Sequence, residues 1–358
     1  MSNTDPRSDV PSAAGHGRAR LRRLLVLADG HSDDPHYGKT ALGVMRYRPQ
    51  SVVAVLVSHR AGETHDGFPV VASVAEALAF EPTAALVGVA TQGGRFPPAW
   101  RELLKECIAA GLDVENGLHE FLSDDTELAE LADRHGVELR DLRKPPSDLN
   151  VPTGANLTQR AKVVLTVGSD CAIGKMTVAL ELDAEAKRAG LESRFVPTGQ
   201  TGIAIAGWGI AVDAVVSDFM AGAAERVVLE GVERGGELLF VEGQGSLLHP
   251  AYSGVTLGLM HGSAPHAYIL CHMAGQRFVD DDERLPIPSL SSLVELHERI
   301  SLLARPARVA AVALNTRRLG EEAARVAIGE AEETTGLTAD DPVRFGAARL
   351  LAAVRASI

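Results

Sequence analysis

Short apolar runs alternate with amphipathic stretches along most of the chain. Aliphatic and β-branched runs occupy residues 24–29, 51–58 and 84–90, and stretches with helical spacing follow them at 37–47, 73–80 and 99–111. Parallel strands need a long crossover connection, which is usually a helix. The alternation therefore predicts parallel α/β sheets.

The same alternation resumes after a polar, proline-containing stretch at Arg143–Asn156. Strands are predicted at 163–168, 193–197, 237–243, 267–272 and 308–316, with helices at 174–190, 217–230 and 289–304 and from Glu321 and Gly346. In the helix at 289–304 the spacing predicts one apolar face of Leu293, Leu296, Ile300 and Leu303. We therefore predict two domains, at 21–148 and 158–358, after a disordered N-terminus at 1–20 that is rich in Ser, Pro, Asp and Gly.

Charge and composition narrow the classes of function. Lys and Arg number 35 against 47 Asp and Glu, and the net charge of −12 opposes binding to a nucleic-acid backbone. Only five apolar residues, Leu24–Ala28, follow the N-terminal arginines, and glycines interrupt the run at 202–212. Neither a signal peptide nor a membrane span is predicted. Three cysteines without C-x-x-C spacing, Cys107, Cys171 and Cys271, favour a reduced, cytoplasmic protein.

The segment VGSDCAIGKMT, Val167–Thr177, is the strongest chemical motif. It lies between a predicted strand and a predicted helix, where Gly168 and Gly174 let the backbone wrap a phosphate and Lys175 adds a cation. The usual pattern is G-x4-G-K-[ST], whereas here five residues separate the glycines and Met176 precedes the threonine. The extended loop resembles that of dethiobiotin synthetase and related P-loop proteins. It predicts phosphate binding; the alternative is a plain strand–turn–helix with a solvent-exposed lysine.

Two further loops follow predicted strands and belong at the same sheet edge. Glu242 leads directly into a Gly-Gln-Gly-Ser turn and is placed to hold magnesium together with Thr177, unless the turn is only structural. The glycines of the loop Thr198–Gly202 permit close approach of a ligand. Asp213 and Asp218, downstream, are each either a base or a solvated capping residue. Asn315 and Thr316 suit recognition of a nucleotide base or, equally, the turn before a helix.

Four histidines, at positions 249, 261, 266 and 272, lie in the second half without the i, i+4 spacing of a helical zinc site. We predict no metal there and keep His249 and His266 as candidate general bases. In the first half, Gly38, Lys39 and Thr40 are interpreted as a helix start, because no glycine stands at the upstream position of a P-loop. The loops at 91–94 and 115–117 either line a cleft or form structural turns.

A set of segments together resembles one bacterial and archaeal family: ALGVMRYRP, VASVAEAL, GRFPPAW, VGSDCAIGKMT, FVPTGQTGIAIAG, VSDFMAGAAE, VEGQGSLLHP, SGVTLGLMHGSAP and DPVRFGA. Members pair an N-terminal Rossmann-like domain with a C-terminal P-loop domain. They include D-glutamate N-acetyltransferase and are often labelled NAD-dependent epimerases or dehydratases. The resemblance covers most of residues 24–352, although the chain has no G-x-G-x-x-G after its first strand.

The resemblance implies transfer of an acetyl group from acetyl-CoA to the α-amine of D-glutamate, with the phosphates of CoA on the P-loop. It assigns cofactor contacts to Gly168, Ser169, Asp170, Gly174, Lys175 and Thr177. Asn315, the amide at the end of its own strand, is predicted as a further cofactor contact. It assigns substrate contacts to Thr198, Gly199, Gln200, Thr201, Gly202, Gly243, Gln244, Gly245 and Ser246. Acyl transfer to an amine also needs a base, oxyanion donors and cations for the substrate carboxylates. The candidates are Asp218, Glu242 and His249 as bases, Gly243 and Gly245 as backbone donors, and Arg277 or Arg284 as carboxylate partners.

Two other functions stay open. A P-loop whose Thr177 and Glu242 share magnesium is equipped for ATP-dependent activation of a carboxylate, as in dethiobiotin synthetase. A nucleotide-binding regulatory protein without turnover is the second alternative. In each case the expected partner is a small molecule, and for the acetyltransferase it is an amino acid. A homo-oligomer is compatible with all three functions. No residue pattern fixes the acceptor, its stereochemistry or the oligomeric state.

Overall fold

The first sheet is built from the N-terminal part of the chain. A computed structural model describes residues 22–29, 38–89, 96 and 100–358. The strands are β1 (Leu24–Leu27), β2 (Val52–Leu56), β3 (Thr64–His65), β4 (Phe68–Val71), β5 (Ala84–Val87), β6 (Asp113–Asn116) and β7 (Leu139–Asp141). Within the described ranges they run in the order β3-β4-β2-β1-β5-β6-β7, and only β3 pairs antiparallel. The helices are α1 (Lys39–Tyr47), α2 (Val74–Ala77), α3 (Trp100–Ala109) and α4 (Thr126–His135).

The second sheet is entirely parallel in the described part of the chain. Its strands are β8 (Lys162–Gly168), β9 (Ser193–Val196), β10 (Leu238–Val241), β11 (Ala267–Met273), β12 (Arg308–Asn315) and β13 (Thr338–Asp340). They run in the order β13-β12-β11-β8-β10-β9. The helices are α5 (Lys175–Arg188), α6 (Gln200–Ala206), α7 (Met220–Glu233), α8 (Ser253–Gly262), α9 (Leu290–Arg299), α10 (Glu321–Thr335) and α11 (Ala348–Ser357).

The strand order of the second sheet reverses around β8. The chain passes from β8 to β9 and β10 on one side and then to β11, β12 and β13 on the other. In open parallel sheets, ligands bind at the carboxyl ends of the strands beside such a reversal. The carboxyl end of β8 is therefore the place where this fold favours a site.

An apolar core joins the two halves. Helix α1 buries Ala41, Val44 and Met45 in the same hydrophobic cluster that contains Met176 of α5 and Ile203 of α6. The central strands β1, β5 and β10 are buried at every residue, as expected for parallel strands that are covered on both faces. Burial of apolar surface between α1 and α6 thus holds the carboxyl edge of one sheet against the other.

The predicted fold class, two parallel α/β sheets with a P-loop in the second, is confirmed, and the predicted strands and helices named above are present. Two local expectations differ. The segment Thr198–Gly202 is not a loop throughout, because α6 begins at Gln200. Leu303 does not share the apolar face of α9, since that helix ends at Arg299 and Leu303 is 90% exposed. Residues 1–20 and the loop at 91–94 lie outside the described residues, and the domain bounds 21–148 and 158–358 stay predictions.

Within the described ranges, no helix combines the length and the apolar character that crossing a bilayer requires.

Arg143 links the two halves. Its guanidinium donates to the Gly117 carbonyl oxygen at 3.0 Å in the first half, and to Asp213 at 2.6 Å and the Gln200 side chain at 2.9 Å in the second. The residue is only 8% exposed. Because one buried guanidinium donates all three hydrogen bonds, this contact depends on the geometry of the partner groups as well as on charge.

Arg143→Met should lower the free energy of unfolding by about 2–4 kcal/mol, because it leaves Asp213 without its cation. Lys144→Met is the matched control, since Lys144 forms an exposed ion pair with Asp124 and should change stability by less than about 0.5 kcal/mol. Urea unfolding followed by circular dichroism measures both variants. Equal effects at the two positions would show that Arg143 does not tie the halves together.

Candidate active site

The predicted phosphate loop is present between β8 and α5, at residues 169–174. Gly174 has φ +113°, and Ala172 adopts a left-handed φ of +52°, which costs a residue with a Cβ about 1–2 kcal/mol. In the part of the chain that the structure describes, the backbone N–H groups of Ala172, Ile173 and Gly174 have no protein acceptor. Together with the free N–H groups at the start of α5, they form a cradle for an anion.

The side chains of the loop mainly hold its shape. Lys175, 6% exposed, donates from Nζ to the Asp170 carbonyl oxygen at 2.6 Å, and burial lowers its pKa. The Asp170 carboxylate accepts from the N–H groups of Cys171 and Asp280 and from the Gln276 side chain. The predicted loop residue Asp170 is therefore a structural anchor, while Lys175 is the cation of the cradle.

Ser169 and Asn315 also support the loop. The Ser169 hydroxyl lies 2.8 Å from His272 Nδ1, and the Asn315 amide donates to the Ile173 carbonyl oxygen at 3.0 Å. The Asn315 Oδ1 accepts from the N–H of Arg317 at 3.2 Å. Asn315 thus lies at the phosphate loop, and its amide is engaged by the protein instead of being left to read a base, the role predicted for it.

The arrangement does not fit a magnesium ion shared by Thr177 and Glu242. The Thr177 side chain lies next to the hydroxyl of Tyr47 in α1, which donates to Glu181 at 2.8 Å. The position directly after Lys175, where a P-loop supplies its metal-binding hydroxyl, holds the buried side chain of Met176. Thr177 therefore lies at the contact between the halves, and the metal-binding position of a P-loop carries no hydroxyl in this chain.

Glu242 lies at the end of β10 with its carboxylate in the protein interior. It is 3% exposed, and its Oε2 accepts from the backbone N–H groups of Thr198 at 3.0 Å and Gly199 at 3.1 Å. Among the described residues its Oε1 accepts no hydrogen bond. Burial raises its pKa to about 7, although the two N–H groups and the charge of Lys39 oppose this. A carboxylate with one open oxygen and a pKa near neutrality is suited to general base chemistry.

The loop Thr198–Gly202 shapes this carboxylate. The Thr198 hydroxyl donates to the Glu242 carbonyl oxygen at 2.5 Å, and a Cβ at Gly202 would overlap the carboxylate. Gln200 and Thr201 point instead to the other half, toward Arg143 and Thr40. The glycines of this loop are therefore required for the close approach of α6 to Glu242.

The other two predicted bases, His249 and Asp218, differ in their position relative to the phosphate loop. His249, 9% exposed, accepts from the Ala251 N–H at Nδ1, and one of its ligand atoms lies within 4.8 Å of those of Asp170 and Cys171. These three residues supply N, O and S ligands, but no fourth His, Cys, Asp or Glu joins them among the residues described. Asp218 lies exposed just before α7, and in the described chain it makes no hydrogen bond or ion pair. The structure thus brings Glu242 and His249 to the phosphate loop, but not Asp218.

The Gly-Gln-Gly-Ser turn offers fewer free donors than expected. The Gly243 N–H donates to the Thr166 hydroxyl at 2.9 Å, so it is not available to an oxyanion. The Gln244 amide donates to Thr198 at 3.4 Å, and the buried Ser246 hydroxyl accepts from Leu248. Gly245 has φ +67°, and in the part of the chain described its N–H has no acceptor. In the described chain the N–H groups of Gln244 and Ser246 have no acceptor either, so the turn leaves Gly245 open as one of three backbone donors.

Of the two predicted arginines, Arg284 is engaged and Arg277 is not. The Arg284 guanidinium pairs with Asp282 at 2.6 Å. Arg277 is exposed, next to Gln276, and makes no ion pair with the described residues.

The remaining histidines do not come together at one site. The ring of His261 lies against the Ile300 carbonyl, whereas His266 accepts from the Val163 N–H at the amino edge of the sheet, away from the phosphate loop.

Lys39 was missed as a site residue. It is the first residue of α1, as predicted for a helix start, and it acts electrostatically on Glu242, Lys175 and Cys171 across the contact between the halves. Its position at the start of a helix that follows the first strand was the available indication, because such helix N-termini lie at the carboxyl edge of the sheet. His119 reaches the same region, where burial and the charge of Arg143 lower its pKa and Asp213 opposes this shift.

Three histidines that are buried or half-buried, His266, His272 and His297, make the fold sensitive to acid. Burial lowers the pKa of each from 6.5 to about 4. As the pH falls below about 6.5 the unfolded chain takes up these protons while the folded chain does not, so the free energy of unfolding should fall until about pH 4. Denaturant titrations at about pH 7, 5.5 and 4.5 measure the slope. His272→Gln should reduce it by about one proton, and an unchanged slope would contradict this assignment.

Comparison with known proteins agrees with this architecture. Residues 56–145 match a domain of unknown function described as the DUF1611_N Rossmann-like domain, and residues 150–351 match the DUF1611_C P-loop domain. A crystal structure of a DUF1611 family protein from Anabaena variabilis superposes with a TM-score of 0.87 at 40% identity, covering 94% of this chain and 99% of that one.

Two relatives have a named activity. A D-glutamate N-acetyltransferase of Tritonibacter scottomollicae is 37% identical over 334 residues, which are 93% of this chain and 98% of the relative. A second D-glutamate N-acetyltransferase, of a Pseudoalteromonas species, is 34% identical over 281 residues, or 78% and 83% of the two chains. The resemblance noted in the sequence is thereby confirmed, and the chain belongs to the DUF1611 family of proteins with an N-terminal Rossmann-like domain and a C-terminal P-loop domain.

Proposed function

We propose that this protein is an acyltransferase that moves the acetyl group of acetyl-CoA to the α-amine of D-glutamate. The observation that carries the proposal is the buried carboxylate of Glu242, with one open oxygen, beside an anion cradle at the carboxyl end of β8. The two D-glutamate N-acetyltransferases that align with most of this chain support the choice of reaction. Because Cys107, Cys171 and Cys271 are free thiols, we place the reaction in the reducing cytoplasm.

Glu242 acts as the general base of this reaction. At neutral pH the α-amine of an amino acid carries a proton and is not nucleophilic. The Glu242 carboxylate, whose pKa burial raises to about 7, accepts that proton through Oε1 while Thr198 and Gly199 hold Oε2. The free amine attacks the thioester carbonyl, and the Gly245 N–H is a donor available to the oxyanion. When the adduct collapses, the C–S bond breaks, Glu242 returns its proton to the leaving thiolate, and the second amine proton goes to solvent.

The phosphate loop binds the phosphates of CoA and orients the thioester. The free N–H groups of Ala172, Ile173 and Gly174 and the ammonium of Lys175 supply the contacts. No metal is required for acetyl transfer. This agrees with Met176, which stands directly after Lys175 where an ATP-dependent P-loop ligase needs a hydroxyl to bind magnesium.

Purified protein with acetyl-CoA and D-glutamate tests the proposal. Free thiol and acetylated product are measured beside parallel reactions that contain L-glutamate in place of D-glutamate, or ATP and magnesium in place of acetyl-CoA. We expect thiol release and N-acetyl-D-glutamate without ATP or magnesium. ATP hydrolysis that depends on a carboxylate, without thiol release, would overturn the proposal in favour of a ligase, and tight nucleotide binding without any turnover would favour a regulatory protein.

A further inference from the structure

Lys39 is a cation at the candidate active site that the proposed chemistry has not used. Its side chain is exposed, and among the described residues it makes no hydrogen bond or ion pair. Lys175, the other lysine at the phosphate loop, is buried and donates to the Asp170 carbonyl oxygen. Lys39 is therefore the lysine of this region that is open to a second ligand.

The packing of α1 on α6 brings Lys39 to Glu242. The hydroxyl of Thr40, the next residue along the chain, lies 3.0 Å from the hydroxyl of Thr201. Thr201 adjoins Gly202, where a Cβ would overlap the Glu242 carboxylate. At the other end of α1, Arg48 donates to the Ala204 carbonyl oxygen at 3.0 Å and fixes the direction of the helix. The first residue of α1 thus lies at the contact with α6, across which its charge acts on the Glu242 carboxylate.

The charges around this contact are divided between the two halves. The first half supplies Lys39, and the start of α1 has no acidic residue in its first turn to offset the helix dipole. The second half supplies Glu242, 3% exposed and with Oε1 unpartnered among the described residues, and Asp213, which Arg143 already neutralises. An amino acid carries an ammonium and at least one carboxylate, so its charges are complementary to this pair.

We propose that Lys39 binds a carboxylate of the acceptor amino acid while its amine lies against Glu242, so that the acceptor bridges the two domains. This inference rests on the proposed function and names the acceptor site within it. Under this inference the N-terminal domain supplies the cation that binds the substrate carboxylate, the role for which Arg277 or Arg284 was the candidate. Arg284 is paired with Asp282, and Arg277 belongs to the C-terminal domain loop after β11.

The test compares the steady-state kinetics of Lys39→Gln, Lys39→Arg and Lys162→Gln. Lys162 is an exposed lysine at the amino end of β8, on the opposite edge of the sheet, and serves as the matched control. Lys39→Gln should raise KM for D-glutamate about 10-fold or more and leave KM for acetyl-CoA within about twofold, because only the carboxylate contact is lost. Lys39→Arg should recover part of the change, and Lys162→Gln should match the wild type.

Calorimetric titration of glutarate, a dicarboxylate without an amine, separates this inference from the proposed function. If the wild type does not acetylate D-glutamate, the proposed reaction is wrong. Loss of glutarate binding in Lys39→Gln alone would still support the carboxylate site. A rise in KM for acetyl-CoA with KM for D-glutamate unchanged would overturn the inference and make Lys39 a phosphate contact. Kinetics and glutarate binding equal to the wild type in Lys39→Gln would also overturn it.

Discussion

Glu242→Gln should lower kcat for acetyl transfer by about 10²- to 10⁴-fold, the usual loss when a general base is removed. Glutamine has nearly the same shape, and its carbonyl oxygen can still accept from the N–H groups of Thr198 and Gly199. The fold of the loop around α6 should therefore persist while the group that accepts the proton is lost. Product formation at saturating acetyl-CoA and D-glutamate measures the effect.

The pH dependence of this variant distinguishes a base from a merely structural carboxylate. In the wild type, kcat/KM should fall as the pH drops through about 7, the raised pKa of Glu242, and the residual activity of Glu242→Gln should lose this step. Glu237→Gln, which changes an exposed glutamate at the amino end of β10, is the control and should retain the step. A Glu242→Gln enzyme with wild-type rate and profile would exclude this base.

The same substitution should stabilise the protein in alkaline solution. The folded pKa of Glu242, about 7, exceeds its ordinary value of 4.5, so the stability that this group contributes is present below pH 4.5 and is lost as the pH rises to about 7. Glutamine avoids the burial of a charge. Above pH 7 the free energy of unfolding of the variant should therefore exceed that of the wild type by about 3 kcal/mol. A less stable variant at about pH 8 would show that the carboxylate is there for structure.

Lys175→Met should raise KM for acetyl-CoA by about 10- to 100-fold, because it removes a charge-assisted hydrogen bond to phosphate. Met is similar in length, and it leaves the backbone N–H groups of the cradle in place. Lys187→Met is the control on the same helix, since Lys187 is half-exposed and pairs with Asp183 near the end of α5, away from the phosphate loop. Initial rates at varied acetyl-CoA measure both variants.

Acetyl-pantetheine, which carries the thioester without the nucleotide, makes this test specific to phosphate binding. The wild type should prefer acetyl-CoA over acetyl-pantetheine, and Lys175→Met should reduce that preference by the same factor as it raises KM. If the variant loses activity equally on both donors, Lys175 does not act through the phosphates.

The parts of the site that the sequence predicted are those formed within one short segment. Gly168, Gly174 and Lys175 form the expected strand–loop–helix, because glycine conformation and helix polarity are local properties. Glu242 was found because a carboxylate at the end of a buried strand is visible in the pattern of apolar residues. Its raised pKa was not, because burial on all sides depends on how Thr198 and Gly202 pack around it.

The parts that the sequence did not predict are formed between distant segments. Thr177 was the predicted magnesium ligand of the ligase alternative, yet its side chain lies beside Tyr47, 130 positions earlier in the chain. The Gly243 N–H was expected to be free, yet it donates to Thr166 on the neighbouring strand β8. Lys39 and Arg143 have no motif of their own and acquire a role only when the two sheets meet. Such contacts depend on tertiary packing, which the spacing of apolar residues along the sequence does not indicate.

The packing of α1 on α6 also bears on how this protein tolerates change and how it can be re-engineered. Gly43 lies one turn after Thr40, and a methyl group there would come within 2.9 Å of the Thr201 side chain, so even alanine would push the two helices apart. Whether a substitution in α1 is tolerated should therefore depend on which face of the helix the residue lies on, and not on its distance from the substrate. A library that seeks a new acceptor specificity has to vary the inward face of α1, although that helix belongs to the domain without the phosphate loop.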